Sequence, residues 1–207
     1  MFRKYCILLG IAISMLLLLV ATLYYPGGSQ DNINSIGFDW KNNYLCNLFG
    51  EKAVNGSDNA SRVWAISGMF FLCTSFALFF NEFSKKITRK GAARVIKYFG
   101  VCSMIFAFLA VTPYHDTMIT IATTLALVSI FYITVFVFKS RLYLFKILSI
   151  VYLLVSYCCN YIYYAGSHIE FLPIMQKVVL LVTIIWILGL EHFTNREDFQ
   201  GIKTNKR

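Results

Sequence analysis

From Tyr5 to Tyr24 the chain runs for 20 residues without a charged side chain. An α-helix rises about 1.5 Å per residue, so a stretch of this length spans the roughly 30 Å hydrocarbon core of a bilayer. In hydrocarbon each backbone N–H and C=O must find its partner within the protein, which favours a helix for such a run. Five further apolar runs follow, at about 63–80, 95–111, 118–138, 142–164 and 172–190. Only 14% of the 207 residues are charged, against about 25% in soluble domains, so the apolar majority is expected to face lipid. The fold class that follows is all-α: a polytopic membrane protein, one integral domain over residues 1–207, built as an antiparallel bundle of six transmembrane helices.

The first run competes with a cleavable signal peptide, since Arg3 and Lys4 precede it. A signal core is usually about 7–15 residues and ends at a small-x-small site. Here the run is longer and ends in Leu23-Tyr24-Tyr25-Pro26, a bulky aromatic boundary, so it is expected to be retained as a helix. Cys6 follows Phe2-Arg3-Lys4-Tyr5, which is not a lipid-attachment sequence.

A net charge of +9 raises nucleic acid as a partner. That reading needs cations clustered on one face with stacking aromatics between them. The cations here lie between apolar runs instead, so no nucleic-acid partner is expected. Lys85, Lys86, Arg89, Lys90, Arg94 and Lys97 oppose the single acid Glu82 over 81–97; Lys139, Arg141 and Lys146 mark a second basic connection, and Arg196, Lys203, Lys206 and Arg207 the tail. By the positive-inside rule these stretches and the N-terminus are cytoplasmic. Segments 26–62, 112–117 and 165–171 then lie outside. Six spans with both termini cytoplasmic satisfy every connection.

The long outer segment opens with the turn-forming Pro26-Gly27-Gly28-Ser29. Asp39 suits an N-cap and Gly50 a C′ position, and Trp40, Tyr44, Leu45, Leu48 and Phe49 recur at helical spacing between them. A short amphipathic helix is expected over Asp39–Gly50, with Trp40, Tyr44, Leu48 and Phe49 as candidate lipid- or partner-binding residues. They read either as interface anchors or as a lid over a lipid-facing cavity. Two sequons, at Asn55 and Asn59, fall in the same segment. Cys46 has no obvious outer disulfide partner, and Cys73, Cys102, Cys158 and Cys159 read as small packing residues within spans. Ser67, Gly68, Thr74 and Ser75 are expected to let the second span approach a neighbour closely.

Topology gives the scattered polar residues a common address. His115 and Asp116 come from one outer turn and His168 and Glu170 from another, while Lys177 lies one to two turns inside the sixth span. An ionisable residue at that depth is a functional candidate, and its structural alternative is an ammonium that snorkels to phosphate or pairs with Glu170 or Asp116. As a catalytic set, His115, Asp116, His168, Glu170 and Lys177 could activate water and stabilise a phosphate anion. His115, His168 and Asp116 are the candidate metal ligands, although no His-x-x-x-His or His-Glu-x-x-His spacing occurs. The Gly-x-Ser-x-Gly nucleophile pattern is absent. No cofactor is specified.

The order of first span, outer segment with Asn43-Tyr44-Leu45-Cys46-Asn47-Leu48 and Asn55-Gly56, second span, then Thr112-Pro113 with Asp116 before the fourth span resembles a bacterial membrane family. It is the one designated domain of unknown function nine-nine-eight, itself similar to the eukaryotic Frag/DRAM/Sfk group. The resemblance implies a six-helix bundle in a bacterial cytoplasmic membrane and leaves the activity open. Eukaryotic relatives acting in GPI-anchor remodelling lean it towards lipid handling. This chain departs from the pattern in lacking a clear histidine within the fourth span.

Three functions are compatible with these features. The first is a lipid- or partner-binding structural or accessory bundle, with membrane lipids and another membrane protein as its partner classes. The second is an outer-face lipid-modifying enzyme, metal-dependent hydrolysis among its forms. A secondary transporter ranks third, because the spans show no midplane ion pair and no corresponding pair of broken helices.

Overall fold

A computed structural model describes residues 2–200 of the chain. The cations at Lys203, Lys206 and Arg207 lie outside the described residues, as does the side chain of Arg3. Six long helices follow one another: α1 (Phe2–Leu23), α2 (Arg62–Lys86), α3 (Lys90–Leu109), α4 (His115–Lys139), α5 (Tyr143–Ala165) and α6 (Leu172–Phe193). All six are long and apolar enough to cross a membrane, the make-up of a multi-pass membrane protein. Among the described residues there is no strand beyond two isolated bridges, Gly27 with Ile36 and Lys52 with Asp58.

The basic connection expected over 81–97 is almost entirely helical. α2 continues to Lys86 and α3 starts at Lys90, leaving only 87–89 between them. Nothing in Asn81-Glu82-Phe83-Ser84-Lys85-Lys86 breaks a helix, Glu82 pairs with Lys85 one turn on, and the cations suit the negative end of the helix. The 112–117 turn is shortened in the same way. His115, Asp116 and Thr117 form the first turn of α4, where an acidic residue is favoured by the helix dipole.

The chain divides into two compact units. The first contains the start of α1, all of Cys73–Val151, and the stretch from Ile185 onward. Here α3 packs along α4, with Ser129 Oγ donating to Ile96 O at 3.0 Å. Gly100 lets α3 close onto Phe80 of α2, because a Cβ there would stand 2.2 Å from the Phe80 ring. Phe79, Phe83, Trp186 and Phe199 form an aromatic core, and Trp186 Nε1 donates to Ser149 Oγ at 2.9 Å.

The second unit contains Leu9–Leu72 and Tyr152–Ile184. Gly68 performs the close approach expected of it: a Cβ there would lie 3.1–3.3 Å from Leu18, Ser14 and Leu17 of α1. Leu18, Ala21, Tyr25, Leu48, Ala53 and Ala65 are buried together, with Phe38, Leu45 and Phe49 packed against them. The segment between α1 and α2 is therefore a folded cap, clamped onto the ends of both helices.

The helix expected over Asp39–Gly50 is reduced to a 3₁₀ turn, Leu45–Phe49. Asparagine and aspartate side chains compete with the helix for its backbone groups. Asp39 accepts from the N–H groups of Lys41 and Asn42, which is an Asx turn, and Asn43 Oδ1 accepts from Asp39 N while its Nδ2 donates to Gly28 O at 2.8 Å. Gly50 is extended rather than left-handed. Positive-φ glycines stand elsewhere in the cap, at Gly27, Gly28, Gly37 and Gly56, and Gly28 (φ 83°) brings the chain so close that a Cβ would stand 2.4 Å from Asn55 N.

Candidate functional site

The chemistry of the second unit gathers where the cap meets α6. Leu172 and Pro173 begin that helix, so Lys177 falls on its second turn, as its spacing from Pro173 requires. Its Nζ donates to Asn43 O at 2.7 Å and to Pro173 O at 2.8 Å, and it stands 5.6 Å from the centre of the Phe38 ring. Gln176, one residue earlier, accepts from Leu45 N at 3.4 Å. Two neighbouring polar residues of α6 thus hold the cap by its backbone. Of the structural alternatives for Lys177, pairing with Glu170 or Asp116 is not what holds it; the ammonium donates to carbonyls.

Beside the ammonium opens an apolar cleft of about 170 Å³. Met15, Leu18, Leu19 and Thr22 of α1, Trp40 and Leu45 of the cap, and Lys177, Leu180 and Leu181 of α6 line it. Trp40 is half exposed and meets Phe38 edge-on, while Phe38 meets Tyr25 in the same way. Of the other candidate contact residues, Leu48 is fully buried and belongs to the core, Phe49 is packed against that core, and Tyr44 is half-buried. Burial and the neighbouring Cys46 push the Tyr44 hydroxyl above its usual value. Thr22 contributes no free hydroxyl, since its Oγ1 donates to Leu19 O at 2.7 Å.

The electrostatics of the cap are set by Asp39. Burial pushes its carboxyl up, but hydrogen bonds from the Asn42 side chain, the N–H groups of Lys41 and Asn42, and Ser29 outweigh that and hold it below the usual carboxylate value. Its oxygens are committed to those donors, and its field reaches Lys177 without a direct ion pair among the described residues.

Four of the candidate acid–base residues form two local pairs. His115 Nδ1 is 3.4 Å from Asp116 Oδ1, in the first unit. His168 Nδ1 is 3.6 Å from Glu170 Oε1, in the second, with side chains 74% and 64% exposed. Such exposure leaves water to solvate both groups. His168 also has φ 58°, a left-handed position that turns the chain into α6. Among the described residues no three His, Cys, Asp or Glu side chains form a group able to hold a metal ion.

Sequence reasoning missed a buried ion pair in the first unit. Lys86 Nζ lies 3.1 Å from Glu191 Oε2 and also donates to Leu190 O at 3.1 Å and Glu191 O at 3.2 Å. The signal available was the uninterrupted helical character of 81–86. Ending the second span at Phe80 and the sixth at Leu190 left both charged residues outside.

No family model, no curated protein and no solved structure matches this chain.

Proposed function

We propose that the protein is inserted in a bacterial cytoplasmic membrane with both termini and the basic connections on the cytoplasmic side, and that it is a lipid-binding bundle whose outer-side cleft takes one acyl chain of a membrane lipid. The observation that carries this reading is the cleft between α1, α6 and the cap, walled by aliphatic side chains and Trp40. Its volume of about 170 Å³ is below the roughly 300–1,000 Å³ of a site for a compact ligand. A narrow apolar slot of that size suits a segment of linear chain. The cleft begins on the second turn of α6 and continues to Leu181, the depth at which acyl chains of the outer leaflet would lie. The span order and short motifs by which the chain resembles the bacterial six-span family lean towards the same membrane and towards lipid.

The test is lipid retention. Protein purified in mild detergent should carry lipid that survives detergent exchange, and Met15→Trp or Leu181→Trp, which fill the slot, should lower the retained lipid at least two-fold with helicity unchanged. Equal retention in the filled variants would overturn the reading. Orientation is tested with Tyr114→Cys, at an exposed position before α4. A membrane-impermeant maleimide should label it in intact cells above the background of the unmodified chain; labelling only after lysis would reverse the topology.

A further inference from the structure

The ammonium at the mouth of the cleft has chemistry left over. A lysine carries three N–H donors, and Lys177 spends two of them on Asn43 O and Pro173 O. The third has no hydrogen-bond acceptor among the described residues. The two carbonyls and the Phe38 ring fix the position of Nζ, so the charge cannot swing away as that of an exposed lysine would. Asp39 is the nearby acid, but its oxygens are taken by the Asx turn and by Asn42. Lys41, on the same turn, is exposed. Among the described residues that line the slot Lys177 alone is charged, and it stands where an apolar wall ends and a polar cap begins.

Resting on the acyl-chain reading above, we infer that the cleft selects lipids whose phosphate is not balanced by a headgroup ammonium, with the third N–H of Lys177 donating to a phosphate oxygen. A zwitterionic lipid brings its own cation to the phosphate and competes with Lys177 for it. An anionic lipid leaves that position to the protein, and a charge-assisted hydrogen bond at the membrane surface is stronger than a neutral one.

The experiment uses the full chain in nanodiscs of equal parts phosphatidylglycerol and phosphatidylcholine with identical acyl chains, followed by detergent extraction and quantification of the lipid that stays bound. The expected result is about five-fold enrichment of phosphatidylglycerol over the bulk ratio. Lys177→Met should bring the ratio of the lipid that stays bound to that of the bulk. Lys177→Arg, which keeps the charge, should retain the enrichment and guards against loss of the cap fold as the cause. A bulk ratio in the unmodified chain, or enrichment that survives in Lys177→Met, overturns the headgroup inference alone. Failure of the acyl-chain reading is distinguishable, because then no lipid of either class is retained. Free glycerol phosphate in millimolar excess should not displace the bound lipid; displacement would mean that the anion binds without the chain and would also overturn the inference.

Discussion

Lys86 and Glu191 are 105 residues apart in the chain, yet their side chains meet at 3.1 Å at the ends of α2 and α6. The lysine also reaches the last carbonyls of α6, which no residue of that helix can satisfy. One ammonium thus neutralises a carboxylate and caps a helix dipole at its negative end. Both side chains are buried, 11% and 3% exposed. Removing one partner therefore strands a charge.

Glu191→Ala and Lys86→Met are each expected to destabilise the protein by about 3–5 kcal/mol, the usual cost of breaking a buried pair. The double variant Lys86→Met with Glu191→Leu should recover most of that loss, because no unpaired charge remains. Thermal unfolding in one detergent measures all three. A double variant as unstable as the singles would show that the helix cap, not the ion pair, is the larger contribution.

Gly100→Ala should cost about 1–3 kcal/mol, the range for overpacking a filled core. The added Cβ would meet the Phe80 ring at 2.2–2.4 Å, and Phe80 is itself buried. Gly91→Ala is the control on the same helix. Nothing lies within 4 Å of a Cβ there, so alanine should be neutral or stabilise by up to about 1 kcal/mol. Comparing the two melting temperatures separates packing from helix propensity.

Asn59 clamps the cap through its side-chain amide. Its Nδ2 donates to the carbonyls of Asn47, Leu48 and Gly50, at 3.0–3.3 Å, and the residue is buried. Expression in a glycosylating host should modify Asn55, which is exposed, and leave Asn59 bare. Glycosidase-sensitive mobility shifts of Asn55→Gln and Asn59→Gln check this. Asn59→Ala should also lower stability by about 1–3 kcal/mol, since buried carbonyls lose their donor.

The Asx turn at Asp39 makes the cap sensitive to acid. Because the folded carboxyl is held below its ordinary value, ionised Asp39 contributes stability that is fully present above that ordinary value. The contribution is lost as the pH falls below it, through the folded value. Amide exchange at Lys41 and Asn42 should accelerate in that window, and Asp39→Asn should show fast exchange at neutral pH as well. Equal protection of the parent chain on both sides of the window would rule out this coupling.

Six helices could be recognised from the chain alone, because hydropathy is summed over neighbours in sequence and needs no knowledge of tertiary partners. The role of Gly68 was legible for a similar reason: a residue without a side chain within a span marks a close approach whatever stands opposite. The cap was legible only in composition. Spacing of Trp40, Tyr44, Leu45, Leu48 and Phe49 fitted a helix, but the side chains of Asp39 and Asn43 took over backbone groups, and that competition is decided by geometry.

What the sequence by itself determined was the class of protein, the number of apolar helices and the identities of its unusual charges. Only the tertiary structure decided their partners. Lys177 found Asn43 O, 134 residues away, and Lys86 found Glu191, 105 residues away. The physical reason is that a buried charge must be compensated by whatever donors and acceptors the packed helices bring within about 3 Å, and at that range sequence spacing carries no information.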